Sequence, residues 1–384
     1  MTMANRNFFR AGEDRPRLSK RQQKKGYQDP KKIEDHWDIF SQNVYVETSR
    51  RNIPAWLLPL IILLLLVLLI FWAAPTIITR IQAFLHIGIY ENEEPASLLY
   101  GDDTWTVSKS VANVFTADDL KAGRLTQALY NEPVLILTAD CAPGFVQVRL
   151  SDGSQGFMRT ADLINSRSSI EPDLFRYKLV IAETTKRIMS HASQGTLLAE
   201  VPMGTVLYAD YRGKGISRVA LPGGQTGWIG DDGVIILDPT GQIKAVADGA
   251  RYFCSTALAF NQITVLPNGQ SVYGISTVGI ARLAGAINGI SLPRLLPDLA
   301  TSGKPVDLHP NEETGLIEAD SVKAGDLVFL GDLAGNSEQA VDLGVCVADG
   351  QILYAGPGQT SIRLVDLAAN PDLLKRILFV RRLY

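Results

Sequence analysis

Hydrophobic residues follow several different periods along the chain, and each period predicts a different element. Trp56 to Ala74, WLLPLIILLLLVLLIFWAA, runs for 19 residues without a charge. At ~1.5 Å per residue a helix of that length measures about 28 Å, the thickness of a bilayer's hydrocarbon core. The apolar residues leave no polar face, and Trp56 and Trp72 stand near the two ends, so a transmembrane helix is expected over residues 53–75. Roughly fifty residues precede it, whereas the apolar core of a cleaved signal peptide follows a short basic stretch. Ile77 to Tyr90 stays apolar enough to continue as a juxtamembrane helix until Glu91-Asn92-Glu93-Glu94-Pro95 stops it, and residues 76–104 read as that helix and a linker.

Further on the period changes to two, and the alternation occurs twice. Gly144 to Met158 reads GFVQVRLSDGSQGFM and Gly215 to Ile229 reads GISRVALPGGQTGWI, without a gap between them in alignment. Each copy predicts a β-hairpin: alternating apolar residues, a turn at Asp152-Gly153 or Gly223-Gly224, and a second strand opening with Gly156 or Gly227 before an aromatic residue. Glu132 to Leu137 and Gly204 to Tyr208 supply a preceding strand in each copy. The duplication predicts two small β-barrels, over residues 105–166 and 175–240.

Beyond them the pattern turns helical and then extended. Phe253, Ala257 and Phe260 share a face of a helix expected over 248–261. In Val265 to Arg294, VLPNGQSVYGISTVGIARLAGAINGISLPR, a glycine-punctuated approach leads into a second helix that carries Val278, Leu283 and Ile287 and ends at Asn288-Gly289. Strands follow at Leu327 to Leu330, Leu343 to Val347, Gln351 to Tyr354, Ser361 to Leu364 and Ile377 to Arg382. Helices first and an antiparallel sheet afterwards make residues 246–384 an α+β domain.

Charge gives the expected span a direction. Residues 1–52 carry 12 Lys/Arg against 7 Asp/Glu, and the rest of the chain carries 25 against 33. The basic flank predicts that residues 1–52 form a disordered cytoplasmic tail and that residues 75–384 lie outside the cell membrane. Cys141, Cys254 and Cys346 have no CxxC spacing, and His36, His86, His191 and His309 are scattered, so no metal site and no cofactor are expected. No nucleic-acid partner is expected either.

The stretch from Val265 to Arg294 resembles the nucleophile region of the NlpC/P60 cell-wall peptidases, YxWGGxxxxGxDCSGLV followed by GIxLPR. Gly269, Gly274, Gly279 and Gly289-Ile290-Ser291-Leu292-Pro293-Arg294 carry the likeness. Lys323 to Phe329 is similar to that family's GDLVFF strand, and Asp342 to Ala355 to its HVGIYLGDGxFIHA. The resemblance covers about residues 248–384 and implies a papain-like fold. It also implies where the chemistry should sit. The position of the nucleophilic Cys carries Thr277, preceded by Ser276; the base position carries Asp342 in place of His; the third polar position carries Tyr354. The two β-units resemble bacterial SH3 (SH3b) domains through Ala112-Asn113-Val114 in the first and Gly227-Trp228-Ile229 in the second. Phe145 and Phe157 stand where that pattern has tryptophans, and Ile216 replaces its first aromatic.

These likenesses imply a single-pass protein that presents two SH3b-like barrels and an NlpC/P60-like domain to the wall. Thiol hydrolysis needs Cys within reach of an imidazole, and neither residue is present at its place. The resulting expectation is binding or scaffolding of peptidoglycan or its stem peptides through Ser276, Thr277, Asp342, Tyr354, Phe145, Phe157 and Trp228. The alternatives are a peptidoglycan endopeptidase with a displaced catalytic group, such as His309, and a structural partner of wall-synthesis or division proteins with no wall ligand.

Overall fold

The chain divides into two compact units, residues 1–74 and 75–384. In a computed structural model of the protein the described residues are Leu60, Leu64, 101–308, 310–311, 315–333 and 339–384. Leu60 and Leu64 are helical and exposed. The rest of the expected span 53–75, the tail before it, the juxtamembrane helix and His309 lie outside the described residues. Among the described residues no helix is long and apolar enough to cross a membrane.

Seven strands come first: β1 (Thr104–Val107), β2 (Val111–Phe115), β3 (Arg124–Leu129), β4 (Pro133–Thr138), β5 (Phe145–Arg149), β6 (Gln155–Arg159) and β7 (Leu163–Ile164). They form one antiparallel sheet in the order β3-β2-β6-β5-β4-β1-β7. Seven more follow: β8 (Tyr177–Ile181), β9 (Thr185–Met189), β10 (Leu197–Pro202), β11 (Val206–Gly213), β12 (Ile216–Leu221), β13 (Gln225–Gly230) and β14 (Val234–Leu237). Their order, β10-β9-β13-β12-β11-β8-β14, repeats the first strand for strand. The duplicated sequence falls on the equivalent hairpins, with Phe145 opposite Arg159 in one and Ile216 opposite Gly230 in the other. A glycine recurs at the start of each second strand because another strand crosses there. A Cβ on Gly156 would lie 2.6 Å from Val114 Cγ1, and one on Gly227 2.4 Å from Ile188 Cγ2, well inside contact distance.

Alternation fills each interior with aliphatic side chains, Val114, Val148 and Met158 in the first sheet and Ile188, Val219 and Ile229 in the second. Alternation and turn signals mark only three strands of each copy. Most of the others are as long but carry polar residues that blur the alternation, so their places are set by the sheet and not by local pattern.

The C-terminal part contains α1 (Gly249–Leu258), the hairpin β15 (Gln270–Ser271) and β16 (Gly274–Ile275), α2 (Thr277–Ile287), α3 (Leu296–Leu299), β17 (Lys304–Pro305), β18 (Asp326–Leu330), β19 (Asp342–Ala348), β20 (Gln351–Tyr354), β21 (Arg363–Asp366), α4 (Pro371–Leu374) and β22 (Ile377–Arg382). An antiparallel sheet in the order β17-β22-β18-β19-β20-β21 carries α1 and α2 on one face. Phe253, Phe260, Leu283 and Ala284 pack there on Leu327, Phe329, Leu343 and Val345. Burying a side chain of the size of Phe253 or Phe329 stabilises the fold by roughly 1.5–3 kcal/mol. The other face packs Val328, Cys346, Ile352 and Val380 against Leu367, Leu373 and Leu374. Covered on both sides, β18 is buried at every residue. The strand expected at 361–364 instead runs from Arg363 to Asp366, because Ser361 bridges Thr264 before the chain joins β20.

Polar contacts lock the first sheet to this part of the chain. Arg294 has a fully buried side chain that donates to Asp152 Oδ2 (2.6 Å), Glu132 Oε1 (2.7 Å) and the Gln127 carbonyl (3.0 Å). Gln270 N–H donates to Gln127 Oε1 at 2.9 Å, and Asn268 Nδ2 to the Arg124 carbonyl at 2.8 Å. From the second sheet Glu200 accepts the Tyr273 hydroxyl at 3.0 Å. The segment that leads into α2 is therefore held from both sheets.

Candidate functional site

Helix α2 begins where the hairpin ends, and its start is fixed by one side chain. Ser276 is the N-cap: its Oγ accepts from Gly279 N–H at 3.1 Å and donates to the Gly269 carbonyl at 3.2 Å. The helix is pressed so closely on the hairpin that a Cβ on Gly279 would lie 2.3 Å from the Gly269 oxygen. Thr277 is the first residue of the helix and only 6% exposed. Unpaired N–H groups and the helix dipole at such a place favour a thiolate strongly, but they leave an alkyl hydroxyl protonated, and it stays a weak nucleophile until a base removes its proton.

Asp342 opens β19. Its Oδ1 accepts from Leu343 N–H (2.9 Å) and its Oδ2 from the Tyr354 hydroxyl (2.8 Å), with Arg376 Nη2 at 4.0 Å. Tyr354 in turn accepts from Arg376 Nη1 at 2.8 Å, and the same guanidinium donates to the Gly331 carbonyl through Nε (3.1 Å) and Nη2 (3.0 Å). Burial raises Asp342 above the ordinary carboxylate range, against the lowering effects of Tyr354, the Leu343 N–H and Arg376. Burial, reinforced by Asp342, pushes the Tyr354 phenol up to about 12, so it stays a donor. Each carboxylate oxygen of Asp342 thus has one protein donor, with Oδ2 held in the chain of Tyr354 and Arg376, and the side chain keeps a partly exposed edge.

Asp342 and Tyr354 are brought together; Ser276 and Thr277 are tied to the hairpin. No hydrogen bond or ion pair among the described residues joins the two pairs. Along β19, Leu343, Val345 and Val347 pack beneath the helices, and Cys346, which shares the parity of Asp342, packs on the opposite face.

The thiols stand apart from both pairs. Cys254 and Cys346 are buried, and burial raises them to about 11 and about 12. Cys346 Sγ donates to the Ala348 carbonyl at 2.9 Å. Cys141 sits at a turn near Thr138.

The aromatic positions of the two sheets fall on equivalent rows. In the second sheet Leu197, Met189, Trp228, Arg218 and Tyr211 stand directly opposite one another across five adjacent strands. Leu197 and Tyr211 are exposed, the Tyr211 and Trp228 rings meet edge to face at 5.8 Å, and Asp210 holds Arg218 through bonds of 2.9 and 2.5 Å. In the first sheet the row is Arg124, Phe115, Phe157, Gln147 and Thr138. Phe145 meets Phe115 edge to face at 6.0 Å. Phe115, Lys109, Arg124, Arg159 and Asp162 line a cavity of about 390 Å³ there. Arg124 also donates to the Pro267 carbonyl at 3.1 Å, which sets the cavity beside the approach to α2.

Arg376 was not legible as a site residue, since its partners come from strands 22 and 34 residues away in sequence. The part of Arg294 could have been suspected from its place in the family's LPR motif, but its partners Glu132 and Asp152 could not.

No family model matches the chain, and no curated protein sequence matches it. Solved structures do. An NlpC/P60 family protein from Bacillus cereus superposes with a TM-score of 0.61 at 19% identity, over 73% of this chain and 99% of that one. An NlpC/P60 endopeptidase from Photobacterium damselae gives 0.49 at 10% identity, over 73% of each chain. The NlpC/P60 domain of the peptidoglycan hydrolase SagA gives 0.27 at 14% identity, over 34% of this chain and 97% of that one. The first of these likenesses establishes a shared fold. Its extent reaches past the C-terminal sheet into the two sheets before it.

Proposed function

We propose that this chain, which has the NlpC/P60 fold, is a membrane-anchored protein that binds or scaffolds peptidoglycan outside the cell without cutting it. One observation carries the reading: Thr277 stands at the helix start where the family likeness puts a cysteine, and the base position holds Asp342, engaged by Tyr354 and Arg376. A carboxylate that accepts from a tyrosine, although burial raises it above its ordinary range, replaces an imidazole whose unperturbed pKa lies near neutral, and the hydroxyl of Thr277 is a weak nucleophile without such a base. The two thiols that could have replaced the nucleophile are protonated and buried.

What remains is suited to recognition. The two sheets are read as SH3b-like modules, each with a surface row built on its repeated Gly-aromatic pair, Phe157 or Trp228. The cavity beside α2 sets three cations, Lys109, Arg124 and Arg159, against one carboxylate, Asp162, and adds the ring of Phe115. Stem peptides, which carry free carboxylates on a backbone with small apolar side chains, match that mixture. The anchor is residues 53–75, with the basic residues 1–52 on the cytoplasmic side.

Purified full-length chain in detergent is expected to co-sediment with peptidoglycan sacculi. Trp228→Ala and Asp342→Leu are each expected to weaken that binding about fivefold or more, the ~1 kcal/mol scale that separates an energetically important interface residue from its neighbours. Unchanged binding by both variants would leave the structural partner role in place of this reading.

A further inference from the structure

A second cavity, of about 190 Å³, lies where the first sheet, the second sheet and α2 meet. Arg282 lines it from α2, Lys178 from β8, Tyr208 from β11, and Asn131, Glu132 and Ser151 from turns of the first sheet. Neither the wall-binding rows nor the degenerate catalytic positions use it.

The two arginines of this junction differ sharply. Arg294 is fully buried and has three acceptors, Asp152, Glu132 and the Gln127 carbonyl. Arg282 has no hydrogen bond of this kind among the described residues, and Glu132 and Asp152 act on it only through their charge. The carboxylates that could serve are already held by Arg294, and Glu132 Oε2 also accepts from Leu129 N–H at 2.9 Å. Burial, followed by the like charge of Arg294, draws Arg282 down to about 10, and Glu132 and Asp152 only partly oppose this at longer range. Arg282 is half-buried and lines the cavity, so its unbonded donors are open to a ligand of opposite charge.

The surroundings say what that would be. Lys178, which donates to the Gly241 carbonyl at 3.1 Å, adds a second positive charge to the wall, and Ser151 adds a hydroxyl. The planar fork of an arginine matches the geometry of a carboxylate or a phosphate. At about 30 Å³ per water the space holds roughly six waters. That suits an oxyanion of a few heavy atoms and excludes a glycan strand or a folded peptide.

We propose that this junction binds a small oxyanion, a phosphate or a short carboxylate, with Arg282 as its principal ligand. Because the walls come from both sheets and from α2, occupancy fastens the three parts together and stabilises the folded chain by mass action. The site is independent of wall binding.

The test is thermal unfolding and titration calorimetry of the full-length chain with sodium phosphate or sodium acetate, against sodium chloride at matched ionic strength. The wild type is expected to show a saturable rise in unfolding temperature with at least one of the two anions. A response to phosphate alone would identify a phosphoryl ligand, and a response to both would identify oxyanions in general. Arg282→Gln is expected to weaken the response at least tenfold while remaining folded in chloride alone. Arg124→Gln, in the other cavity, should leave the response intact. Absence of a saturable response to either anion, a response that survives Arg282→Gln, or unfolding of Arg282→Gln in chloride would each overturn the proposal.

Discussion

A carboxylate in place of an imidazole alters what its neighbours can do. Asp342 accepts from Tyr354, Tyr354 accepts from Arg376, and Arg376 is spent on the Gly331 carbonyl. The chain of bonds is complete without a substrate, and each member fixes the next. Its cost appears in titration. Because burial raises Asp342 above the ordinary value of 3.8, the folded chain keeps a proton that the unfolded chain has released over the window between 3.8 and the raised value. Stability therefore falls as pH rises through that window. Asp342→Asn keeps an acceptor for Tyr354 and removes the titration. Its stability relative to the wild type should improve from about pH 3.5 to about pH 7 in urea denaturation. A relative loss over the same range would show that the ionised carboxylate is favoured in the fold.

At the level of elements, the start of α2 combines a legible feature with a hidden one. Ser276 before a run of helical period announces an N-cap, and Asn288-Gly289 announces the end; the helix runs from Thr277 to Ile287 between them. The reason for Gly279 was not legible, because the atom that forbids a side chain there, the Gly269 oxygen 2.3 Å from a Cβ, arrives through the fold of the hairpin. Gly279→Ala should therefore cost about 1–3 kcal/mol or more by overpacking, measured by urea denaturation. A loss below about 0.5 kcal/mol would mean that the helix and hairpin separate easily, and the rigid cap would have to be abandoned. The sheets show the same division. The two hairpins could be read from alternation and turn glycines, whereas β1 and β8 owe their places to pairing with β4 and β11, and the local pairs of β2 with β3 and β9 with β10 owe theirs to the pairing of β2 and β9 with the distant β6 and β13. Thr277, Asp342 and Tyr354 could be located only by family resemblance, and Arg282 and Arg376 not at all, since nothing in their local sequence distinguishes them from arginines on a solvated surface.

In the whole molecule, residues 101–384 behave as a frame around the start of α2. Arg294 joins the C-terminal part to the first sheet through a buried network, and Asp152, although burial opposes it, is held below the ordinary carboxylate range by Arg294 and Arg282. Such a network resists the loss of any one member more than it adds to net stability, and so favours a single arrangement of the parts. On the proposed reading this frame presents a recognition surface to the wall and no hydrolytic site. The direct test is release of soluble peptides from purified peptidoglycan by the full-length chain in detergent, followed by mass spectrometry against a boiled control. The account predicts no release above the control, with or without iodoacetamide. Release that disappears in Thr277→Val or His309→Ala would contradict it and mark the chain as a working hydrolase.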